Sequence, residues 1–316
     1  MEYLLIVLGF AVLIAGGDFL VRGASGLALK ANISPLIVGL TVVSIGTSAP
    51  ELLVSIQASF AGNADIAIGN VVGSNIANLG LVLGITAIIF PLTIDRMIIR
   101  QDWPMMMTAA MLFFIFSLDN KISFTEGLIL VSILVFFTVY LLFRSKWFDT
   151  DEPEVEMDGL EKEAGKSYLS LIGFVLIGCV GLYFGSDWFV EGAVIIAQSF
   201  GVSEHVIGVT LVAFGTSVPE LAASGIAAFK KQSDISIGNL IGSNIFNILG
   251  VIGVTSMLSP LAVSDAVIGF DMFWMLGIAA LLFPIMFFGS RISRWNGVIL
   301  LSIYVGYIVS LLLTQQ

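Results

Sequence analysis

Of 316 residues, 58% are hydrophobic and only 11% are charged, and mean hydropathy is +1.04. Soluble domains carry about 25% charged residues, so this chain cannot coat a globular surface with ionised groups. A soluble enzyme, a nucleic-acid binder and a secreted disulfide module are excluded. The net charge of −10 comes largely from Asp149 to Glu163 and describes a loop, not a general preference for cationic partners.

A membrane-spanning helix needs about 20 apolar residues. Apolar runs bounded by polar, Pro or Gly punctuation predict ten spans, near 3–21, 35–60, 66–90, 103–119, 124–143, 168–190, 204–229, 235–259, 268–288 and 295–314. The fold class is an all-α polytopic membrane protein. The first run has Glu2 and no basic residue ahead of it, and reads as a span rather than a cleaved signal. Ser34-Pro35 and Ser203-Glu204 read as start signals for the second and seventh spans, and Asp65 and Asp234 as caps of the third and eighth. The lone Cys179 lies inside an apolar run and reads as a small core residue. Between the fifth and sixth spans, Arg144 to Ser167 is hydrophilic and without hydrophobic periodicity. It divides the chain into 1–143, an acidic loop 144–167, and 168–316.

Alternate connections hold Arg22 and Lys30; Arg96 and Arg100; Arg144, Lys146, Lys162 and Lys166; Lys230 and Lys231; and Arg291 and Arg294. That places 12 of the 13 basic residues on one side and only Lys121 on the other. The positive-inside bias puts both termini outside and loop 144–167 in the cytoplasm.

The two halves are copies. Gly39-Leu-Thr-Val-Val-Ser-Ile-Gly-Thr-Ser-Ala-Pro-Glu-Leu52 matches Gly208-Val-Thr-Leu-Val-Ala-Phe-Gly-Thr-Ser-Val-Pro-Glu-Leu221, and Ile68-Gly-Asn-Val-Val-Gly-Ser-Asn-Ile-Ala-Asn78 matches Ile237-Gly-Asn-Leu-Ile-Gly-Ser-Asn-Ile-Phe-Asn247. Gly16 to Ala24 matches Gly185 to Ala193 at the same offset of 169, and residues 15–84 share about 31 identities with 184–253 over 70 positions. Five spans per copy is an odd number, so the second copy crosses the membrane in the opposite sense. This is the inverted-repeat plan of secondary transporters, with a site near the midplane where the repeats meet.

The repeated segments carry the chemistry. Pro50 and Pro219 interrupt the second and seventh spans beside Gly46-Thr47-Ser48 and Gly215-Thr216-Ser217, which is expected to strip upstream carbonyls, such as those of Ser44 and Ala213, of their donors. In hydrocarbon such backbone survives where protein, water or an ion occupies it. Glu51 and Glu220 stand beside the breaks, and no Lys or Arg falls in the core of a span to pair with them. Ser74 and Asn78, four apart on one helix face, recur as Ser243 and Asn247. Carboxylates, hydroxyls, amides and carbonyls are hard ligands suited to Ca²⁺ or Na⁺, whereas zinc or copper would call for His or Cys. Asn70, Asn75, Asn239 and Asn244 read as packing residues, along with Gly69, Gly73, Gly238 and Gly242, whose spacing of four allows close helix approach. Asp18 and Asp187 read as structural or gate residues, and His205 as a connection residue without a metal role.

The paired Gly-Thr-Ser-x-Pro-Glu and Gly-Ser-Asn-Ile-x-Asn motifs resemble the two α-repeats of the Ca²⁺/cation antiporter superfamily, and most closely those of prokaryotic Na⁺/Ca²⁺ exchangers. The resemblance covers nearly the whole chain. It implies ten helices, four cation sites arranged as a diamond, and transport of Ca²⁺ and Na⁺ across a prokaryotic plasma membrane without a further cofactor, nucleic acid or obligatory protein partner. It also implies Glu51 and Glu220 as shared Ca²⁺ ligands. Thr47, Ser48, Thr216, Ser217, Ser74, Ser243 and the carbonyls of Ser44 and Ala213 complete the sites, and Asn78 and Asn247 border the central position. Some prokaryotic and K⁺-dependent relatives carry Asp where this chain has Asn247. The neutral residue lowers the negative charge of the site, which bears on K⁺ co-transport and on the ion at the centre.

Three rival readings use the same residues. An H⁺/Ca²⁺ exchanger would release Ca²⁺ by protonating the Glu pair, although that branch usually carries a Gly-Asn-x-x-Glu type of motif. A cation channel also needs oxygen-lined pores, but a tight Ca²⁺ cage binds too firmly for fast conduction. An intramembrane hydrolase with Ser48 or Ser217 as nucleophile lacks a His or Lys base in the helical core.

Overall fold

The computed structural model describes residues 2–148, 165–200, 215–289 and 291–314. It is helical, with four two-residue strands. Helix α1 (Glu2–Ala31) runs well past the expected end of the first span, because Arg22 reaches back one turn to Asp18 and Ser25 donates to Val21 O. It stops at Asn32, which takes a left-handed φ of 53° while Ile33 N–H returns to Ala28 O. Helices α2 (Pro35–Thr47) and α3 (Ala49–Phe60) form one span bent by 43°. Then follow α4 (Ala64–Ile89), α5 (Trp103–Phe116), α6 (Phe124–Phe148), α7 (Tyr168–Ser199), α8 (Val218–Phe229), α9 (Ser233–Leu258), α10 (Val267–Gly289) and α11 (Arg294–Thr314). Among the described residues seven helices are long and apolar enough to cross a membrane, or eight with the bent pair taken as one. The shorter α8 is the described part of the predicted seventh span; residues 201–214 lie outside the described residues.

Element order repeats at the sequence offset. Helix α3 corresponds to α8 and α4 to α9; the strand Leu92–Thr93 (β1) corresponds to Leu261–Ala262 (β3). The strands Lys121–Ile122 (β2) and Arg291–Ile292 (β4) also correspond. Pairing crosses these equivalences. Strand β1 pairs antiparallel with β4, and β2 with β3. The turns after α3 and α8 match too, with left-handed Gly62 and Lys231 and closing bonds from Asn63 N–H to Ala58 O and from Gln232 N–H to Ala227 O.

Helices α4 and α9 form the centre: in their most apolar stretches 72% and 89% of residues are buried, against 17% in α11. Outside them lie exposed Phe136, Leu169, Phe287 and Phe288, a surface that lipid rather than water would cover. Two hydrophobic clusters result. The larger joins α4, α5, α6, α9, α10 and α11, and the smaller joins α1 and α7 to α2 and α8.

Two further differences from expectation are local. Helix α6 continues through Arg144, expected in the loop, because that side chain is buried and ion-paired to Asp102 at 3.1 Å while also donating to Gln101. Asp65 and Asp234 sit in the first turns of α4 and α9, whereas the cap positions belong to Asn63 and Gln232. Ser34-Pro35 starts α2 as expected, with Ser34 at the cap and Pro35 in the first turn, and the Ser34 carbonyl accepts from Ile37 and Val38 N–H.

Helices α1 and α7 meet along glycines. A Cβ added at Gly178 would lie 2.5 Å from Leu20 N, and one at Gly185 would lie 2.7 Å from Leu13 N. Both neighbours are backbone, so neither can rotate away. Gly178→Ala should therefore cost about 1–3 kcal/mol, read as a lower thermal unfolding midpoint in detergent. Gly173→Ala, in the same helix but with nothing within 4 Å of its added Cβ, should cause no such loss.

Candidate ion-binding site

The break before α3 and the start of α8 have the same backbone shape. Ser48 precedes α3 with φ −92° and ψ 7°, and Ser217 precedes α8 with φ −92° and ψ 0°. Each half-helix then opens with a proline in its first turn, followed by the carboxylate. Glu51 and Glu220 thus sit at helix N-termini, where the backbone dipole favours negative charge. Both are fully buried.

The breaks face one another across the repeat boundary. Ser48 Oγ donates to Glu220 Oε1 at 3.0 Å. Thr47 Oγ1 donates to Asn239 Oδ1 at 3.1 Å and lies 3.4 Å from Ser243 Oγ. Ser74 Oγ and Thr216 Oγ1 are 3.2 Å apart. Within this cluster both oxygens of Glu51, Glu220 Oε2, Ser217 Oγ, Asn247 Oδ1 and both amide ends of Asn78 are buried without a hydrogen-bond partner. Buried polar groups are ordinarily satisfied, so this concentration of orphans is the molecule's chief chemical anomaly. Among the described residues no three His, Cys, Asp or Glu side chains converge on a metal position. The anionic charge is that of two carboxylates, and the remaining donors are neutral oxygens of the hard type.

Of the residues singled out from the sequence, Ser44, Thr47, Ser48, Glu51, Ser74, Asn78, Ser217, Glu220, Ser243 and Asn247 are all buried, and Thr216 is half-buried. Both site asparagines open π-helical turns, Asn78–Val82 in α4 and Asn247–Ile252 in α9, a local widening common at functional sites. Ala213 lies outside the described residues. The expectation for the Ser44 carbonyl needs correction. It accepts from Ser48 N–H at 3.0 Å and from Thr47 Oγ1 at 3.3 Å, so it has not lost its donors. The N–H that Pro50 lacks would have pointed to the carbonyl of Gly46, four residues back.

Two residues read as packing do more. Asn239 accepts from Thr47 and donates to Ser224 Oγ at 2.9 Å; Asn70 correspondingly donates to Ser55 Oγ at 3.0 Å and to Glu51 O at 3.2 Å. The signal available in the sequence was their duplication in Ile-Gly-Asn at the common offset. Gly238 and Gly242 behave as expected, with added Cβ atoms 2.7 Å from Leu36 O and 2.6 Å from Leu40 O; the segment that would face Gly69 and Gly73 by symmetry lies outside the described residues. Asp18 is held by Arg22 and by Lys230 at the end of α8, in keeping with a structural or gate role. His205 lies outside the described residues.

Similarity to known proteins converges on one family. The sodium/calcium exchanger protein family model matches residues 1–143 and 170–313. The putative antiporter CaxA of Alkalimonas amylolytica is 38% identical over 305 residues, 96% of each chain. The sodium/calcium exchanger MaX1 of Methanosarcina acetivorans is 33% identical over 348 aligned positions, covering 98% of each chain. A solved structure of the sodium-calcium exchanger NCX_Mj, soaked with Na⁺ and Ca²⁺, aligns with a TM-score of 0.82 at 32% identity over 98% of each chain. With the repeated motifs and these likenesses spanning nearly its full length, this chain belongs to the sodium/calcium exchanger family.

Proposed function

We propose that the chain is an antiporter that exchanges Na⁺ for Ca²⁺ by alternating access, extruding Ca²⁺ from a prokaryotic cytoplasm. The observation that carries the reading is the pair of buried carboxylates without a basic partner, rimmed by unpartnered neutral oxygens. An ionised group in the membrane interior is tolerated only with compensation, and here dissolved cations supply it. With both Glu51 and Glu220 ionised the site carries −2; one Ca²⁺ or two Na⁺ cancel this, and three Na⁺ leave +1. The empty site is the costliest to carry through a low-dielectric barrier, so reorientation is favoured with ions bound, and that coupling makes exchange rather than leak. The names of MaX1 and NCX_Mj support Na⁺ as the counter-ion. The ions are coordinated by Glu51, Glu220, Thr47, Ser48, Thr216, Ser217, Ser74, Ser243, Asn78 and Asn247, with the carbonyl of Ala213.

The architecture we propose is two inverted five-helix repeats, 1–143 and 168–316, around a cytoplasmic loop 144–167, with both termini outside. Its support is the crossed strand pairing. Connections β1 and β4 fall on one side of a ten-span count and β2 and β3 on the other, so equivalent loops lie on opposite sides. The close-packed α1 and α7, which have their own hydrophobic cluster, move as one body past the remainder.

Two measurements test this reading. In wild type, Ca²⁺ at a hundred times its dissociation constant should raise stability by about 2.7 kcal/mol. Glu51→Gln should remain folded, lose that increment and show no exchange; retained transport removes the central role of Glu51. In proteoliposomes loaded with Ca²⁺, an inward Na⁺ gradient at fixed pH should drive Ca²⁺ efflux, faster with the Na⁺-receiving side negative. A pH gradient without Na⁺ should drive none. The opposite result establishes proton coupling instead.

A further inference from the structure

The two halves are nearly identical around the site, yet their central asparagines are held differently. Asn75 and Asn244 are equivalent positions at the repeat boundary, both buried. Asn75 Nδ2 reaches across to the backbone carbonyl of Asn244 at 3.5 Å, with Met275 Sδ at 3.8 Å, and Asn75 Oδ1 accepts from Asn247 Nδ2 at 3.2 Å. Asn244 does not return the favour. Its Nδ2 turns back along its own helix to Leu240 O at 2.8 Å, and both amide ends of its neighbour by symmetry, Asn78, are left without partners.

The relay has a fixed polarity. An amide side chain can present either its oxygen or its NH₂ to a given neighbour, but a backbone carbonyl is an acceptor only. Asn244 O therefore takes the NH₂ of Asn75, which turns Oδ1 of Asn75 toward Asn247. That oxygen in turn takes the NH₂ of Asn247. The end of Asn247 left over is Oδ1, buried and unpartnered in the site. A cation requires that end and is repelled by the other.

We infer that Asn75 is a positioning residue: it contacts no ion but locks the Asn247 amide with its oxygen facing the bound cation, a preorganisation that Asn78 lacks. This rests on the exchange reading above. The two site asparagines are thereby unequal, one set as an acceptor before ions arrive and the other free to rotate and pay for its orientation on binding.

The test uses the full-length chain in lipid nanodiscs, titrated with Ca²⁺ alone in Na⁺-free buffer. Asn75→Leu, close in volume but without an acceptor, should weaken Ca²⁺ binding about three- to tenfold, the worth of one buried hydrogen bond. Asn75→Asp keeps an acceptor oxygen and should bind within about twofold of wild type, or more tightly. In an Asn247→Asp background both ends of residue 247 are oxygens, nothing needs orienting, and adding Asn75→Leu should change affinity less than twofold. A packing role alone predicts the same loss in both backgrounds. Equal losses there, wild-type affinity in Asn75→Leu, or a tenfold loss in Asn75→Asp each overturn the proposal. The Asn75→Asp arm decides the matter even where Asn75→Leu fails to fold. Absence of Ca²⁺ binding by wild type would instead bring down the exchange reading itself, and is recognised before any variant is made.

Discussion

Two fully buried carboxylates, with no guanidinium or ammonium paired to them among the described residues, set the terms for the rest of this molecule. Burying a lone ion in a medium of low polarity is prohibitive without compensation. The chain offers partial remedies. Glu51 and Glu220 open half-helices whose dipoles favour negative charge, Ser48 donates to Glu220, and hydroxyls and amides stand nearby. These lower the cost without removing it. A salt bridge would have removed it and left an inert strut; under the proposed exchange, the open charges are what ions from either side would neutralise. The broken helices follow from the same constraint, because only a chain interrupted by Pro50 and Pro219 presents helix N-termini at membrane depth.

Duplication supplies the geometry, and departures from it supply direction. A perfect two-fold arrangement would make the two sides of the membrane equivalent for the protein. Here Ser48 reaches Glu220, while the equivalent Ser217 Oγ has no partner and neither oxygen of Glu51 accepts a bond. Asp18 of α1 is bound by Arg22 and Lys230. Its counterpart Asp187 has Glu191 one turn on, and Ala61 stands where the repeat would place Lys230. The ionic contact between the α1/α7 pair and the neighbouring helix turn is therefore built into one copy only.

Much of this was legible in the amino-acid sequence because it is encoded by periodicity and repetition. The common offset, the proline beside each acid and the absence of basic residues in the spans are properties of the string alone. What was not legible depends on where hydrogen bonds go in three dimensions. The Ser44 carbonyl kept its donors because the α-helical turn runs on to Ser48, whose N–H still reaches it. Arg144 extended α6 because Asp102, distant in sequence, offered a buried partner. Asn75 and Asn239 looked like packing residues, since an asparagine flanked by glycines and aliphatics carries no mark of which neighbour its amide will meet.

The polarity of such bonds also explains why amides are useful in a cation site. A carboxylate presents oxygen whichever way it turns, and adds a charge that must be neutralised in every state of the cycle. An asparagine adds no charge, but its orientation is ambiguous until something fixes it. Fixing it costs conformational freedom that is better lost at folding than at each binding event. Placing that fixation in Asn75, across the repeat boundary from Asn247, ties the readiness of one half's ligand to the packing of the other half against it. Any motion that separates α4 from α9 loosens the amide, and any motion that restores their contact sets it again. Under the proposed role of Asn75, coupling between ion occupancy and the relative position of the two repeats would run through this hydrogen-bond relay, whose acceptor end is a main-chain carbonyl.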